Sequence, residues 1–320
     1  MIVLILAAEF VNGWTDAPNA IATVVSTRVL PPSHAVVMAS VLNVAGAFAG
    51  TAVAFSVGKG IVDPALIDLK TLAGAMIGII VWSYVAWTRG IPTSESHALI
   101  AGLAGSALAV AGPSALLWSG WQKVLIGLCI STFIGFGAGW VVSRLIVIFC
   151  ADVTPITSRK VFSKLQICSA AFMAFSHGSN DGQKFIGMFA LALLLGGVTS
   201  VYAVPIWTIF VCAAVMGIGT MVGGYRIIAK MAKMGSVHEA DKGFAAETAA
   251  ATAIIVASHF GIPLSTTQTI NTAIMGVGAS RRYSSVRWTV VSEMVMAWLL
   301  TFPVCATIAF ISTMILRFFL

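Results

Sequence analysis

Uninterrupted apolar runs of bilayer length leave this chain few ways to fold. "AVVMASVLNVAGAFAGTAVAFSVG" (35–58), "VLIGLCISTFIGFGAGWVV" (124–142) and "VPIWTIFVCAAVMGIGTMVGG" (204–224) each approach or pass the ~20 residues needed to cross a hydrocarbon core. No water reaches the backbone there, so its N–H and C=O groups must pair within helices. Only 9% of the 320 residues are charged, against ~25% in soluble domains. The expectation is an all-α polytopic membrane protein, one integral domain overall, with Gly and Ala allowing close helix contact. No Lys or Arg precedes "MIVLILAA", so this run reads as half of a first membrane helix rather than a signal peptide. The five cysteines are dispersed, without disulfide or zinc spacing, and read as small buried side chains. The net charge of +7 comes from short loops and orients the chain in the membrane; no nucleic-acid partner is expected.

The chain also repeats itself. "FVNGWTDAPNAIAT" (10–23) aligns with "FSHGSNDGQKFIGM" (175–188), matching Phe10 with Phe175, Gly13 with Gly178, Asp16 with Asp181 and Ile21 with Ile186. In the same order, "GIPTSESHALIAGLAG" (90–105) aligns with "GIPLSTTQTINTAIMG" (261–276). Two motifs at similar spacing indicate a duplication, 1–160 and 161–320. Basic residues gather at Arg159, Lys160 and Lys164, at Arg226, Lys230, Lys233 and Lys242, and at Arg281, Arg282 and Arg287, which places those three loops in the cytoplasm. The uncharged loop 196–202 then lies outside. The stretch 245–279, interrupted by "GIPLSTTQ", must begin and end on one side, as a re-entrant hairpin. Its counterpart, 72–111, enters from the opposite face. The expected fold is therefore two inverted-topology repeats, each with a broken motif helix and a re-entrant helical hairpin. In secondary transporters such repeats hold substrate at their interface, near the bilayer midplane.

The motifs put polarity where lipid makes it costly. About twelve helical residues precede Asp16 and Asp181, which at ~1.5 Å per residue sets both near mid-depth. Glu9, Asn12, Asp16, Asn19 and Thr23 fall on one helical stripe, and Gly13 and Pro18 are expected to interrupt that helix and free carbonyls. Such oxygens suit a hard cation such as Na⁺, an aspartate alone suits a proton, and plain interhelical hydrogen bonding is the structural alternative. Each Gly-Ile-Pro break starts a new half-helix at capping-type residues: Ser94 and Ser96 in one copy, Ser265, Thr266 and Thr267 in the other. Free N–H groups and hydroxyls there suit an oxyanion; capping alone is the plainer reading. His97 could touch that anion, carry a proton, or sit neutral in the core. Thr93, Gln268 and Lys184 complete the accessory candidates. No cofactor is expected, and no metal beyond a transported Na⁺.

These residues resemble the inorganic phosphate transporter (PiT) family over nearly the whole chain. Its duplicated Gly-x-Asn-Asp-x-x-Asn-Ala signature is similar to "GWTDAPNA" (13–20) and "GSNDGQKF" (178–185), and its Pro-x-Ser-Thr-Thr-His hairpin to "PTSESH" (92–97) and "PLSTTQ" (263–268). The resemblance implies that Asp16, Asn19, Asn180 and Asp181 serve the coupling cation, and Ser94, Ser96, Ser265, Thr266 and Thr267 phosphate. Three departures stand out: Thr15 replaces a signature asparagine, Glu95 a hairpin threonine, and Lys184 the last asparagine of the second copy. A lysine there can take a cation's place. Glu95, if it reaches the anion, would accept a hydrogen bond from protonated phosphate that sulfate cannot give; pairing with Arg89 or Lys184 is the alternative.

The expected activity is import of inorganic phosphate, free or as a metal-phosphate complex, with H⁺ or Na⁺ through the cytoplasmic membrane by alternating access. Lipid and further copies of the chain are the other expected partners. The rivals are a sulfate permease of the same family, a passive anion channel, and an intramembrane hydrolase using Ser96 with His97 or Ser176 with His177.

Overall fold

The computed structural model describes residues 1–91, 93–223 and 239–319. Pro92, the linker cations Arg226, Lys230 and Lys233, and His238 lie outside the described residues. Helix α1 (Ile2–Ser26) carries the first motif and is followed by α2 (Pro32–Ala47) and α3 (Ala52–Gly60). Helices α4 (Leu69–Thr88) and α5 (Glu95–Ala111) form the first hairpin. Helix α6 (Trp118–Cys129) runs through a π turn into α7 (Gly135–Phe149). Helix α8 (Pro155–His177) passes through a second π turn, Gly178–Gly182, into α9 (Gln183–Leu195). Then come α10 (Ile206–Val222), the second hairpin of α11 (Ala240–His259) and α12 (Thr266–Arg281), and α13 (Trp288–Phe319).

Among the described residues, four stretches are long and apolar enough to cross a bilayer: Leu69–Thr88, Glu95–Ala115, Trp118–Phe149 and Trp288–Phe319. With the helical make-up of the described residues, this is a multi-pass membrane protein. Phe133, Ile148, Phe149, Phe210 and Phe318 stay exposed on outer faces, where lipid covers them. Two cysteines join them: Cys129 and Cys168 are exposed, contrary to expectation, while Cys212 and Cys305 are buried. A thiol behaves as a small apolar group and tolerates lipid. The run 35–58 is not one straight helix: α2 and α3 are apolar enough together for a span but bend by 72° at the break between them. Gln183 of α9 stabilises the bend, its Oε1 accepting the Val53 N–H at 3.0 Å.

Helix α1 links two apolar cores. Ile5 and Ala8 pack with α3, α4, α5 and α9 in one, and Ala20, Ile21 and Val24 with α2, α8, α11 and α12 in the other. The polar middle of α1 falls between them. The break expected near Gly13 is absent, since α1 is continuous. A Cβ on Gly13 would sit 2.3 Å from the Met216 carbonyl oxygen, so this glycine lets α10 approach rather than opening the helix. The second copy does change pitch: its π turn holds Asn180 and Asp181, and such turns are frequent at functional sites.

The hairpins use one backbone device twice. Gly90 and Gly261 have φ of 63° and 66°, a region that a Cβ disfavours. In each, the glycine N–H and the next N–H turn back to the helix, Gly90 to Trp87 O and Ile91 to Ala86 O, Gly261 to Ser258 O and Ile262 to Ala257 O. This Schellman pattern stops α4 and α11. Pro263 lies in the connection that follows, and the next helix starts at Thr266.

Candidate anion and cation site

Ser94 and Ser265 are the N-caps of α5 and α12, accepting from the His97 N–H at 3.4 Å and the Gln268 N–H at 3.1 Å. The N–H groups of Glu95, Ser96, Thr266 and Thr267 are thereby left with no acceptor inside their own helices. The two tips meet. Ser265 Oγ donates to Ser94 Oγ at 2.8 Å, and Ser96 Oγ to the Leu264 carbonyl at 2.8 Å. All five hydroxyls expected for the anion are 2% exposed or less.

The second tip also reaches both aspartates. Thr266 Oγ1 donates to Asp181 Oδ2 at 2.9 Å. Thr267 Oγ1 lies 3.4 and 3.5 Å from the Asp16 oxygens and accepts from Asn19 Nδ2 at 2.8 Å. His177 Nε2 is 3.5 Å from Asp181 Oδ2, and its Nδ1 is 3.1 Å from Asn43 Oδ1. Asp16, His177 and Asp181 each offer one ligand atom within 4.8 Å of the others. Carboxylates in that grouping fit a small cation. The constellation therefore sets hydroxyl donors of the second tip directly against the carboxylates of both motifs.

Residues 12–309 match the model of the Phosphate transporter family. The chain belongs to this family. It is 40% identical over 311 residues to a protein of Rhizobium meliloti (strain 1021) named "Probable low-affinity inorganic phosphate transporter", covering 97% of this chain and 93% of that one. A Bacillus subtilis (strain 168) protein of the same name is 37% identical, with 99% and 96% covered. The fold superposes on a solved structure described as "The sodium-dependent phosphate transporter" with a TM-score of 0.91, over 99% of this chain and 98% of that one, at 21% identity.

Within this member of the phosphate transporter family, the departures from the family signature have partners of their own. Thr15 Oγ1 donates to Glu95 Oε1 at 2.9 Å, and Ser83 Oγ to Glu95 Oε2 at 2.8 Å. Both Glu95 oxygens thus serve α1 and α4, and neither Arg89 nor Lys184 pairs with it as the alternative required. Lys184 Nζ reaches Asp181 Oδ1 at 2.5 Å, Ser96 Oγ at 2.5 Å and the Leu264 carbonyl at 2.8 Å. Asn180 points its Nδ2 at Ser258 Oγ (2.9 Å) and the Ile262 carbonyl (3.3 Å), pinning the second hairpin, while its buried Oδ1 has no donor.

The remaining accessory candidates lie around the tips. Thr93 is buried in the first connection. Gln268 Nε2 donates to Thr132 Oγ1 at 2.5 Å. His97 stacks on Phe302 with ring centroids 4.9 Å apart. Ser96 spends its proton on Leu264 and Ser176 Oγ has no partner, so neither serine is activated by its neighbouring histidine. The family is one of transporters, and the hydrolase reading falls. Sequence reasoning missed Ser83 and Glu247, and read Asn43 as plain interhelical hydrogen bonding, in keeping with its contacts to His177 and Thr220. Glu247 is fully buried and accepts from Thr23, Ser169 and Gln166; its glutamate inside an alanine-rich run was the available signal.

Proposed function

We propose that this phosphate transporter is a symporter, moving inorganic phosphate with Na⁺ or H⁺ across the cytoplasmic membrane by alternating access. Phosphate binds where the hairpin tips meet, on Ser94, Ser96, Ser265, Thr266, Thr267 and the first N–H groups of α5 and α12. The cation binds at Asp16 and its neighbours, with Asn19 and Asn180 shaping the pocket. The halves 1–160 and 161–320 act as inverted copies whose hairpins reach the midplane from opposite faces.

The observation that carries this reading is the Asn19–Thr267–Asp16 chain, continuous with the meeting point of the tips. A threonine hydroxyl has one proton to give. While Thr267 turns it toward Asp16, phosphate cannot use it; once phosphate takes it, a buried carboxylate is left without a donor. Leaving such a group unsatisfied costs ~1–3 kcal/mol or more for a charged one. A cation arriving at Asp16 removes that cost, so each ligand favours the other. Thr266 couples the anion to Asp181 in the same way. Glu95, held by Thr15 and Ser83, acts on the site by fixing α1 against the first hairpin.

Purified protein in liposomes, given an inward Na⁺ or H⁺ gradient and labelled phosphate, is the test. The expected result is accumulation above equilibrium with one of the two gradients, competed by unlabelled phosphate and not by sulfate. Equilibration without accumulation would indicate a passive channel, and accumulation of sulfate a sulfate permease.

A further inference from the structure

The two copies of the motif treat their aspartates differently. Asp16 has Thr267 Oγ1 at 3.4–3.5 Å as its hydrogen-bond donor, and the residue one turn on, Asn19, carries no charge. Asp181 has Lys184 one turn on, with the ammonium 2.5 Å from its Oδ1 and both side chains 3% exposed or less. The Lys184 ammonium is surrounded by a carboxylate oxygen, a hydroxyl oxygen and a backbone carbonyl oxygen: Asp181 Oδ1, Ser96 Oγ and Leu264 O. Such an oxygen set suits a small hard cation. It draws on both hairpin tips, through Ser96 and Leu264, and on the second motif, through Asp181.

We propose that Lys184 is a tethered cation filling one of two related cation positions, so that a single mobile cation, at Asp16, is coupled to each phosphate. This rests on the symport reading above and deepens it. A tethered charge never leaves with the cargo. It neutralises Asp181 in every state, holds Ser96 and Leu264 together without consuming an ion gradient, and lowers the number of ions spent per phosphate. The ammonium has three protons and no acceptor capacity. It can therefore hold Asp181, Ser96 and Leu264 in the empty site and later turn one proton to a phosphate oxygen, a contact that an amide at this position would not supply with charge.

The test counts coupling cations per phosphate, apart from protons that phosphate itself carries. In liposomes this number comes from the cation gradient that just balances a fixed opposing phosphate gradient. Wild type is expected to give one, and Lys184→Asn, which restores the signature residue, two. Under a tenfold cation gradient the variant's accumulation limit then rises ~10-fold over wild type. Lys184→Arg keeps the tethered charge and should keep the wild-type number. If Lys184→Asn transports with an unchanged number, the proposal is overturned. Should that variant fail to fold, wild type still decides, since a value of two or more in wild type overturns the tethered-cation assignment. Failure of the symport reading looks different: wild-type phosphate then responds to neither gradient.

Discussion

Thr267→Val removes one hydroxyl from the point where the proposed anion and cation sites join, and keeps the side chain's branched shape. In the ligand-free protein the change strands Asn19 Nδ2, whose 2.8 Å bond to Thr267 Oγ1 is buried. An orphaned buried donor costs ~1–3 kcal/mol, and Asp16 loses the hydroxyl that stands 3.4–3.5 Å from its oxygens in the same step. In the loaded protein the anion loses one charge-assisted hydrogen bond, ~1.5–3 kcal/mol. At 1.4 kcal/mol per decade this raises the phosphate half-saturation ~10–150-fold. The assay is the concentration dependence of phosphate uptake in liposomes, with thermal unfolding of the same preparation to confirm folding. Thr267→Ser restores the hydroxyl and should stay within ~3-fold of wild type, less than ~0.7 kcal/mol. A folded Thr267→Val protein with wild-type half-saturation would refute the shared-hydroxyl reasoning.

Other outcomes follow from the same contacts. Asp16→Asn, which removes a carboxylate whose neighbouring hydroxyl, Thr267 Oγ1, stands 3.4–3.5 Å away, should fold normally and lose cation-driven accumulation; accumulation at the wild-type level would count against it. Asp181→Asn should instead lower thermal stability, because breaking a buried ion pair strands the Lys184 ammonium at a cost of ~3–5 kcal/mol; an unchanged unfolding temperature would contradict the pairing. Gly13→Ala places a Cβ 2.3 Å from the Met216 carbonyl oxygen and should destabilise the protein by ~1–3 kcal/mol, measured by thermal unfolding and refuted by a neutral result. In a background free of native cysteines, cysteine at Ser200 should label from outside and at Ser284 from inside, and labelling of both from one side would remove the inverted arrangement of the second hairpin.

Much of this was legible in the sequence because it depends on local pattern. The apolar runs required membrane helices, and the duplicated Gly-Ile-Pro segments marked both hairpin tips, where Gly90 and Gly261 indeed take positive φ. The hydroxyls at the tips and the two aspartates were likewise placed together by the repeat. What stayed hidden depends on neighbours distant in the chain. Gly13 reads as a helix breaker until α10 is seen against it. The 72° bend between α2 and α3 depends on Gln183, far along the chain. Glu95 looked like a ligand or an Arg89 partner, and its two hydroxyl donors come from α1 and α4. Lys184 was visible as an exception, but its grip on both hairpin tips was not.

The central claim is that one set of hydroxyls serves both anion and cation, so that the two bind cooperatively. The most direct measurement is the phosphate affinity of the purified protein in lipid nanodiscs, taken by calorimetry across a range of Na⁺ concentration and of pH. Linkage requires that the cation tighten phosphate and phosphate tighten the cation by the same factor, expected at ~5–150-fold, or ~1–3 kcal/mol. Phosphate affinity that stays the same at every Na⁺ concentration and every pH, after allowance for phosphate's own protonation, would contradict the account.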